Sequence, residues 1–279
     1  MPLLDYSSFM AVSVGSRVSF RLYRDTRPHC LEISPLHKGL VLLLDGKELI
    51  DEGIGFGVPV VKYEDRTFFS SSADSTETLG ERNVLVKSFI MDTVSRKRLG
   101  KAAYINDSLY SFLHRFFEKV YLNWKKLTFL FNGIMELRRT LKVETDFVKA
   151  EPRGTITLTY TCFPDMVRVN VDLTRLNRAR CKQILFLNEQ GSTFFRKYVD
   201  SDGLTLSDQN IGAWVIVKAE EASLSDFAGS LTFTLRKAKA AQLFRGWEST
   251  RGRFSWAGLS YSLSPEMVTF DYVIRLRAR

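Results

Sequence analysis

Residues 155–173 read TITLTYTCFPDMVRVNVDL, and this stretch decides the fold class. Apolar side chains alternate with polar ones from Thr155 to Phe163 and again from Met166 to Leu173. Successive side chains of a strand point to opposite faces of a sheet, so the alternation predicts two half-buried strands. Pro164-Asp165 between them is typical of a turn. The stretch is therefore predicted to form adjoining strands of an antiparallel meander.

The same period of two extends over most of the chain. Val18, Phe20 and Leu22 alternate with more polar neighbours, and the last strand-like stretch runs from Met267 to Leu276. Asp45-Gly46 is a hairpin turn signal because both residues tolerate positive φ. Roughly twelve to sixteen closely spaced strands, without helices between them, predict an all-β protein with a large antiparallel sandwich, although a barrel has the same signature.

One segment, residues 108–127, breaks this rhythm and is predicted to be an amphipathic helix. Asp107 and Ser108 are typical N-cap residues. The apolar side chains that follow recur at helical steps of three and four and would pack on a sheet. They are Leu109, Phe112, Leu113, Phe116, Phe117, Val120, Tyr121 and Trp124.

We expect residues 1–279 to form a single β-sandwich domain. The best candidate for an internal boundary is the turn Pro152-Arg153-Gly154, within residues 151–154. No repeat of 20 to 50 residues appears, which argues against a propeller or a solenoid.

Composition describes an ordinary globular protein with a basic surface. Hydrophobic residues make up 45% of the 279, aromatic residues 13%, and the net charge is +9. A basic surface favours anionic partners, and nucleic acid is one of them, but the charges are spread along the chain rather than clustered. The composition therefore does not select nucleic acid over a soluble protein with no such partner.

Several features bear on location and cofactors. Three cysteines, Cys30, Cys162 and Cys181, have no disulfide-framework spacing. The N-terminus has no signal-peptide pattern, and the apolar run Leu40 to Leu44 is too short to cross a bilayer. These features predict a cytoplasmic protein with no membrane span. His29, His37 and His114 lie in separate segments, so no metal site and no cofactor are predicted.

A glycine-rich stretch is the first candidate for a ligand site. Gly53, Gly55 and Gly57 stand at every second position, where an ordinary strand would carry side chains. Such spacing lets a neighbour or a ligand approach the backbone closely, or lets the backbone take positive φ. The hypothesis is that these glycines shape the rim of a pocket. Three residues are predicted near its mouth: Glu52, Tyr63 and Glu64.

Two further clusters contain residue types that bind sugars. Glu189 and Arg196 accompany a polar corner, Asn188-Glu189-Gln190-Gly191-Ser192, whose side chains could hydrogen-bond hydroxyl groups. A second cluster is Arg245-Gly246-Trp247-Glu248 together with Arg251, Arg253 and Trp256, which places arginine and glutamate beside aromatic faces. Such faces can stack on a sugar ring or a base, and Arg245, Trp247 and Trp256 are the candidate ligand-binding residues. Core packing of the tryptophans is the alternative interpretation.

The strand pattern resembles the β-supersandwich of the galactose mutarotase-like proteins. The resemblance is carried by Gly154 to Leu173, by the corner Leu187-Asn188-Glu189-Gln190-Gly191 and by Phe270-Asp271-Tyr272-Val273-Ile274. It implies a protein that acts on a sugar through a histidine and a carboxylate. No catalytic residue is carried over, because the three histidines lie away from these segments.

The sequence therefore predicts a carbohydrate-binding or carbohydrate-processing protein with a sugar ligand. The alternative is a non-catalytic binder of nucleic acid or of another acidic polymer, through the basic surface. A structural or interaction protein with no small ligand is a third hypothesis. The sequence leaves the catalytic residues, the reaction and the oligomeric state open.

Overall fold

The computed structural model describes residues 9–13, 17–24, 38–50, 54–77, 83–99, 103–104, 143–250 and 254–279. The amphipathic helix predicted at residues 108–127 lies outside the described residues. Within the described ranges the chain forms strands, and its only helical segment is a short 3-10 turn at Asp208–Ile211.

The strands are numbered in chain order. The first ten are β1 (Phe9–Ser13), β2 (Val18–Tyr23), β3 (Leu40–Leu44), β4 (Lys47–Glu48), β5 (Gly55–Tyr63), β6 (Thr67–Glu77), β7 (Val84–Leu99), β8 (Ala103–Tyr104), β9 (Val143–Lys149) and β10 (Thr155–Cys162). The last ten are β11 (Met166–Asp172), β12 (Cys181–Gln190), β13 (Lys197–Asp200), β14 (Thr205–Ser207), β15 (Val215–Ile216), β16 (Glu221–Ser225), β17 (Leu231–Arg236), β18 (Ala241–Thr250), β19 (Phe254–Leu263) and β20 (Thr269–Ala278).

Antiparallel pairing arranges these strands in two layers. The first layer has the order β1-β2-β3-β5-β12-β19-β18-β15. The second has the order β6-β7-β10-β11-β20-β17-β16-β13-β14, with β9 also paired to β7. The hairpin between β5 and β6 passes from one layer to the other. The predicted all-β antiparallel sandwich is confirmed.

The main core lies between the two layers. Strand β10 buries every second side chain, from Ile156 to Cys162, as its sequence alternation predicts. Aromatic rings from facing layers meet there: Phe56 of β5 packs edge-on against Phe233 of β17, with ring centroids 5.3 Å apart. This burial of apolar surface is the main stabilisation of a packed sandwich.

The centre of the first layer is buried on both faces. The last seven residues of β12, Ile184 to Gln190, are all buried, as is most of β5. One face points into the main core, and the other carries a small apolar cluster formed by Val58, Val60, Leu185 and Leu187. The polar corner predicted at residues 188–192 is therefore wrong for its first three residues, which lie inside β12 rather than in a turn.

A β-bulge at Gly57 explains part of the glycine spacing. Gly57 has φ +79°, and a Cβ there would lie 2.7 Å from both Leu158 Cδ2 and Tyr160 Oη in the facing layer. Its N–H donates to Asn188 Oδ1 at 3.0 Å, and the Tyr272 hydroxyl donates to the same oxygen at 2.8 Å. Close packing and positive φ thus both require glycine at this position.

The remaining sequence predictions have mixed outcomes. The Asp45-Gly46 turn is confirmed, with φ values of 50° and 75°. The sequence from Ser192 to Val199 predicts a strand, but β13 begins only at Lys197, and the sequence pattern does not predict β18. Long strand β7 pairs with β9, which precedes residues 151–154, and with β10, which follows them. This shared strand favours the single domain, which stays a prediction.

No helix in the described part of the chain is both long enough and apolar enough to cross a membrane.

Candidate functional site

Two glycines face each other across β18 and β19 on the side of the first layer that points away from the main core. Gly246 and Gly258 are partners in the antiparallel register. A Cβ on Gly258 would lie 2.8 Å from Glu189 Cγ, and a Cβ on Gly246 would lie 2.4 Å from Trp256 Cη2. Because glycine has no side chain, Gly258 leaves room for Glu189 and Gly246 leaves room for Trp256. We call the surface formed by Glu189, Gly246, Glu248, Trp256 and Gly258 the glycine recess.

Glu189 is the unusual member of the glycine recess. It is only 6% exposed, and its carboxyl group has no hydrogen bond or ion pair with any other residue that the structure describes. Burial raises its pKa to about 8, and the negative charge of Glu248 adds to the shift. The carboxyl group is therefore largely protonated at neutral pH and can donate a hydrogen bond.

Glu248 is positioned by its cross-strand partner. Trp256 lies opposite it in the register, and the Trp256 indole Nε1–H donates to Glu248 Oε2 at 3.3 Å. Glu248 is partly buried, whereas Trp256 is 9% exposed. An indole nitrogen only donates hydrogen bonds, so Glu248 Oε2 is the acceptor in this contact. The glycine recess thus holds one carboxyl group with a raised pKa beside a second carboxyl group that accepts a hydrogen bond.

An exposed tryptophan borders the glycine recess. The Trp214 ring is 5.8 Å from the Trp256 ring, centroid to centroid, and the residue is 43% exposed. Its backbone has φ +57°, a conformation that bulky residues rarely adopt. Strained backbone of this kind is concentrated at functional sites, where surrounding contacts hold it in place.

The loop that carries Trp214 is fastened to β18 by two residues from the predicted site. Arg245 Nε donates to the Ile211 carbonyl at 2.9 Å, and the Trp247 backbone N–H donates to the Gly212 carbonyl at 2.8 Å. The Arg245 guanidinium also lies 4.8 Å from the centroid of the Tyr198 ring. Arg245 and Trp247 alternate with Gly246 and Glu248 along β18, so their side chains point to the opposite face of the strand from the glycine recess.

The structure brings only some of the predicted site residues together. Glu189 and Trp256 belong to the glycine recess, and Gly55 is the register partner of Glu189 on β5. A Cβ on Gly55, which has φ +84°, would lie 2.9 Å from the Leu40 carbonyl oxygen. The close neighbour of Gly55 is therefore the protein backbone.

The other predicted residues lie elsewhere. Arg196 pairs with Asp208 at 2.8 Å and packs over the Phe227 ring. Tyr63 and Glu64 are at the far end of β5, about 26 Å from Gly55 at roughly 3.3 Å per strand residue. Glu64 pairs there with Lys182 at 2.8 Å. Glu52 and Gly53 lie outside the described residues, so the predicted pocket rim stays a prediction.

Sequence reasoning missed Trp214 and Gly258. A signal for Gly258 was present, because Gly246 and Gly258 are equally spaced from residue 252, at the centre of the connection between β18 and β19. Two glycines at mirrored positions of a hairpin become cross-strand partners. Nothing in the sequence around Trp214 shows its positive φ or its contact with Trp256.

Comparison with known proteins gives likeness of backbone only. No protein-family model matches the sequence, and no curated protein matches it. Among solved structures, the chain is similar to an alpha-N-acetylgalactosaminidase from Bifidobacterium bifidum, with 10% identity and a TM-score of 0.46 over 97% of this chain. The chain spans only 36% of the length of that protein.

Two further structures are covered almost completely. One is a galactose mutarotase-like protein from Lactobacillus casei, with 9% identity, a TM-score of 0.43, and 97% and 100% of the two chains covered. The other is a protein from Synechocystis sp., with 7% identity, a TM-score of 0.40, and 99% of each chain covered. A galactose mutarotase-like protein is thus among the similar structures, at the level of architecture.

Proposed function

We propose that the chain binds a carbohydrate at the glycine recess, with Trp214 as the platform for the sugar ring. The observation that carries this proposal is the buried carboxyl group of Glu189, which is unpaired within the described part of the chain and lies beside Glu248 and an exposed tryptophan. Sugar rings present an apolar C–H face and a rim of hydroxyl groups, so they need an aromatic surface and polar groups at its edge.

Each member of the glycine recess has a separate part in this proposal. Trp214 offers its exposed ring for stacking, and Trp256 supports that ring from beneath. Protonated Glu189 donates a hydrogen bond to a hydroxyl oxygen, whereas Glu248 accepts one from a hydroxyl group. Binding a hydroxyl would also satisfy the Glu189 carboxyl group, which has no partner among the described residues.

The same carboxyl pair supports a carbohydrate-processing activity. A carboxyl group that keeps its proton near neutral pH can donate that proton to a substrate, and a neighbouring carboxyl group that accepts hydrogen bonds can receive a proton from it. In this proposal Glu189 is the donor near neutral pH, and Glu248 is the acceptor. The activity requires both groups, whereas binding requires chiefly the tryptophan platform.

Binding is tested by titrating a panel of monosaccharides and oligosaccharides into the protein and recording tryptophan fluorescence and heat. We expect a saturable response that Trp214→Ala weakens by about fivefold to a hundredfold, since stacking on a tryptophan contributes on the order of 1–3 kcal/mol. Phe227→Ala is the matched control, because Phe227 is also exposed, at 55%, but packs on Arg196. It should bind like the wild type.

Two outcomes would contradict the proposal. One is that no sugar in the panel gives a saturable response while the protein remains folded. The other is that bound ligands are polyanions whose affinity falls steeply with salt, since a neutral sugar should respond little to ionic strength.

A further inference from the structure

A cavity lined by several cationic side chains lies far from the glycine recess. It encloses about 320 Å³ between the ends of β6, β7 and β9 and the turn that precedes β10. Four of its eight lining residues are cationic and one is anionic. The lining residues are Arg66, Phe68, Val94, Arg96, Lys149, Ala150, Glu151 and Arg153.

Arg153 lines this cavity, and aromatic rings and backbone hydrogen bonds hold it in place. Its guanidinium carbon lies 5.3 Å from the centroid of the Tyr63 ring and 5.6 Å from that of the Phe68 ring, so the aromatic pair fixes its position. Its backbone is held on both sides, because its N–H donates to the Met91 carbonyl and its carbonyl accepts from Asn177, each at 2.8 Å. The guanidinium is thus pre-organised.

The guanidinium of Arg153 nevertheless has no hydrogen bond and no ion pair with any residue that the structure describes. Two other cations of the cavity have carboxylate partners: Arg66 pairs with Asp65 at 3.0 Å, and Lys149 pairs with Asp92. Glu151 lines the cavity but is exposed to solvent, which weakens its field. The partly buried guanidinium therefore keeps its full set of donors for a ligand.

We propose that this cavity binds the phosphate group of a small molecule, with Arg153 as its bidentate ligand. The planar fork of an arginine matches two phosphate oxygens, and a desolvated, fixed guanidinium loses little freedom on binding. The neighbouring cations Arg66, Arg96 and Lys149 would add attraction for a dianion. Tyr63, one of the residues predicted at a pocket mouth, contacts Arg153 of this cavity and is remote from the glycine recess.

The cavity and the glycine recess are independent sites. Tyr63 and Gly55 mark their respective ends of β5 and are separated by about 26 Å at roughly 3.3 Å per residue. A sugar phosphate is too short to span this distance. Loss of phosphate binding at the cavity therefore leaves sugar binding at the glycine recess intact, and the reverse also holds.

The test is calorimetric titration of the full chain with inorganic phosphate and with glycerol phosphate, at constant ionic strength maintained with chloride. We expect saturable binding at one site, weakened by at least about tenfold in Arg153→Gln and less strongly in Arg153→Lys, which keeps the charge but not the fork. Arg168→Gln is the matched control, because Arg168 is an exposed strand arginine on β11. It should bind phosphate like the wild type.

Comparison of the ligands decides which kind of phosphate the cavity binds. Tighter binding of glycerol phosphate assigns an organic phosphate, and equal binding assigns the free anion. Absence of saturable binding overturns the proposal, and so does equal weakening by Arg153→Gln and Arg168→Gln. Binding of a single-stranded oligonucleotide alone, with steep salt dependence, also overturns it in favour of a polyanion surface. If Arg153→Gln does not fold, Arg66→Gln, at an exposed position, must weaken phosphate binding severalfold.

Discussion

Replacement of Glu189 by glutamine should make the stability of the protein less sensitive to alkaline pH. Burial, followed by the charge of Glu248, raises the pKa of Glu189 from 4.5 to about 8 in the folded protein. In the unfolded chain the carboxyl group loses its proton near its ordinary pKa. The folded state therefore binds this proton more tightly, and the resulting stabilisation is complete below about pH 4.5 and disappears as the pH rises through 8.

The magnitude follows from the two pKa values. At about 1.4 kcal/mol for each tenfold change, the difference corresponds to about 5 kcal/mol lost between mildly acidic and alkaline pH. Water that enters on ionisation will reduce this figure, so we expect about 3–5 kcal/mol. Glutamine has nearly the shape of a protonated carboxyl group and does not titrate. Glu189→Gln should therefore match the wild type near pH 5 and exceed its stability by several kcal/mol near pH 9.

Urea unfolding followed by tryptophan fluorescence at about pH 5, 7 and 9 measures this difference. Glu266→Gln, at an exposed position, is the control and should change stability little at any pH. Glu248→Gln removes the second cause and should shift the transition to lower pH without abolishing it. A stability difference between Glu189→Gln and the wild type that is the same at all three pH values would refute the reasoning.

Three other predictions concern close packing and buried hydrogen bonds. Gly57→Ala should destabilise the protein by more than about 3 kcal/mol in chemical denaturation, because the new Cβ would meet both a positive φ and close neighbouring atoms. Gly46 has a similar φ but open space around it, so Gly46→Ala is the control and should cost only about 1 kcal/mol. Asp92→Asn should cost about 1–2 kcal/mol at neutral pH and nothing well below pH 2. Burial raises the pKa of Asp92, but hydrogen bonds from Lys149, Ser71 and Thr93 outweigh burial and lower this pKa to about 2. Tyr272→Phe should lower the melting temperature, because it removes the hydroxyl that donates to buried Asn188 and costs about 1–2 kcal/mol; an unchanged melting temperature would contradict this.

The alternation of side chains determined the fold class. Residues 155–173 become β10 and β11 with the predicted face buried, because a period of two can bury one face only as a strand. Local turn chemistry was equally readable at Asp45-Gly46. Glu189 and Trp256 were selected from the sequence as residue types that suit a sugar, but nothing in the sequence placed them side by side.

The tertiary structure alone decided which polar residues lie in the core and which face the glycine recess. Asn188 and Glu189 are neighbours in one strand, yet Asn188 accepts a hydrogen bond from Tyr272 in the core, whereas Glu189 faces the glycine recess. Lys87 also shows that burial cannot be inferred from residue type. Lysine is usually exposed to solvent, yet Lys87 is fully buried and donates to the Tyr23 and Lys38 carbonyls at 2.7 Å. Such contacts join residues 49 to 84 positions apart, and a local pattern contains no information on partners at that separation. Burial, and with it the pKa of Glu189, depends on those distant partners and so appears only when the layers pack.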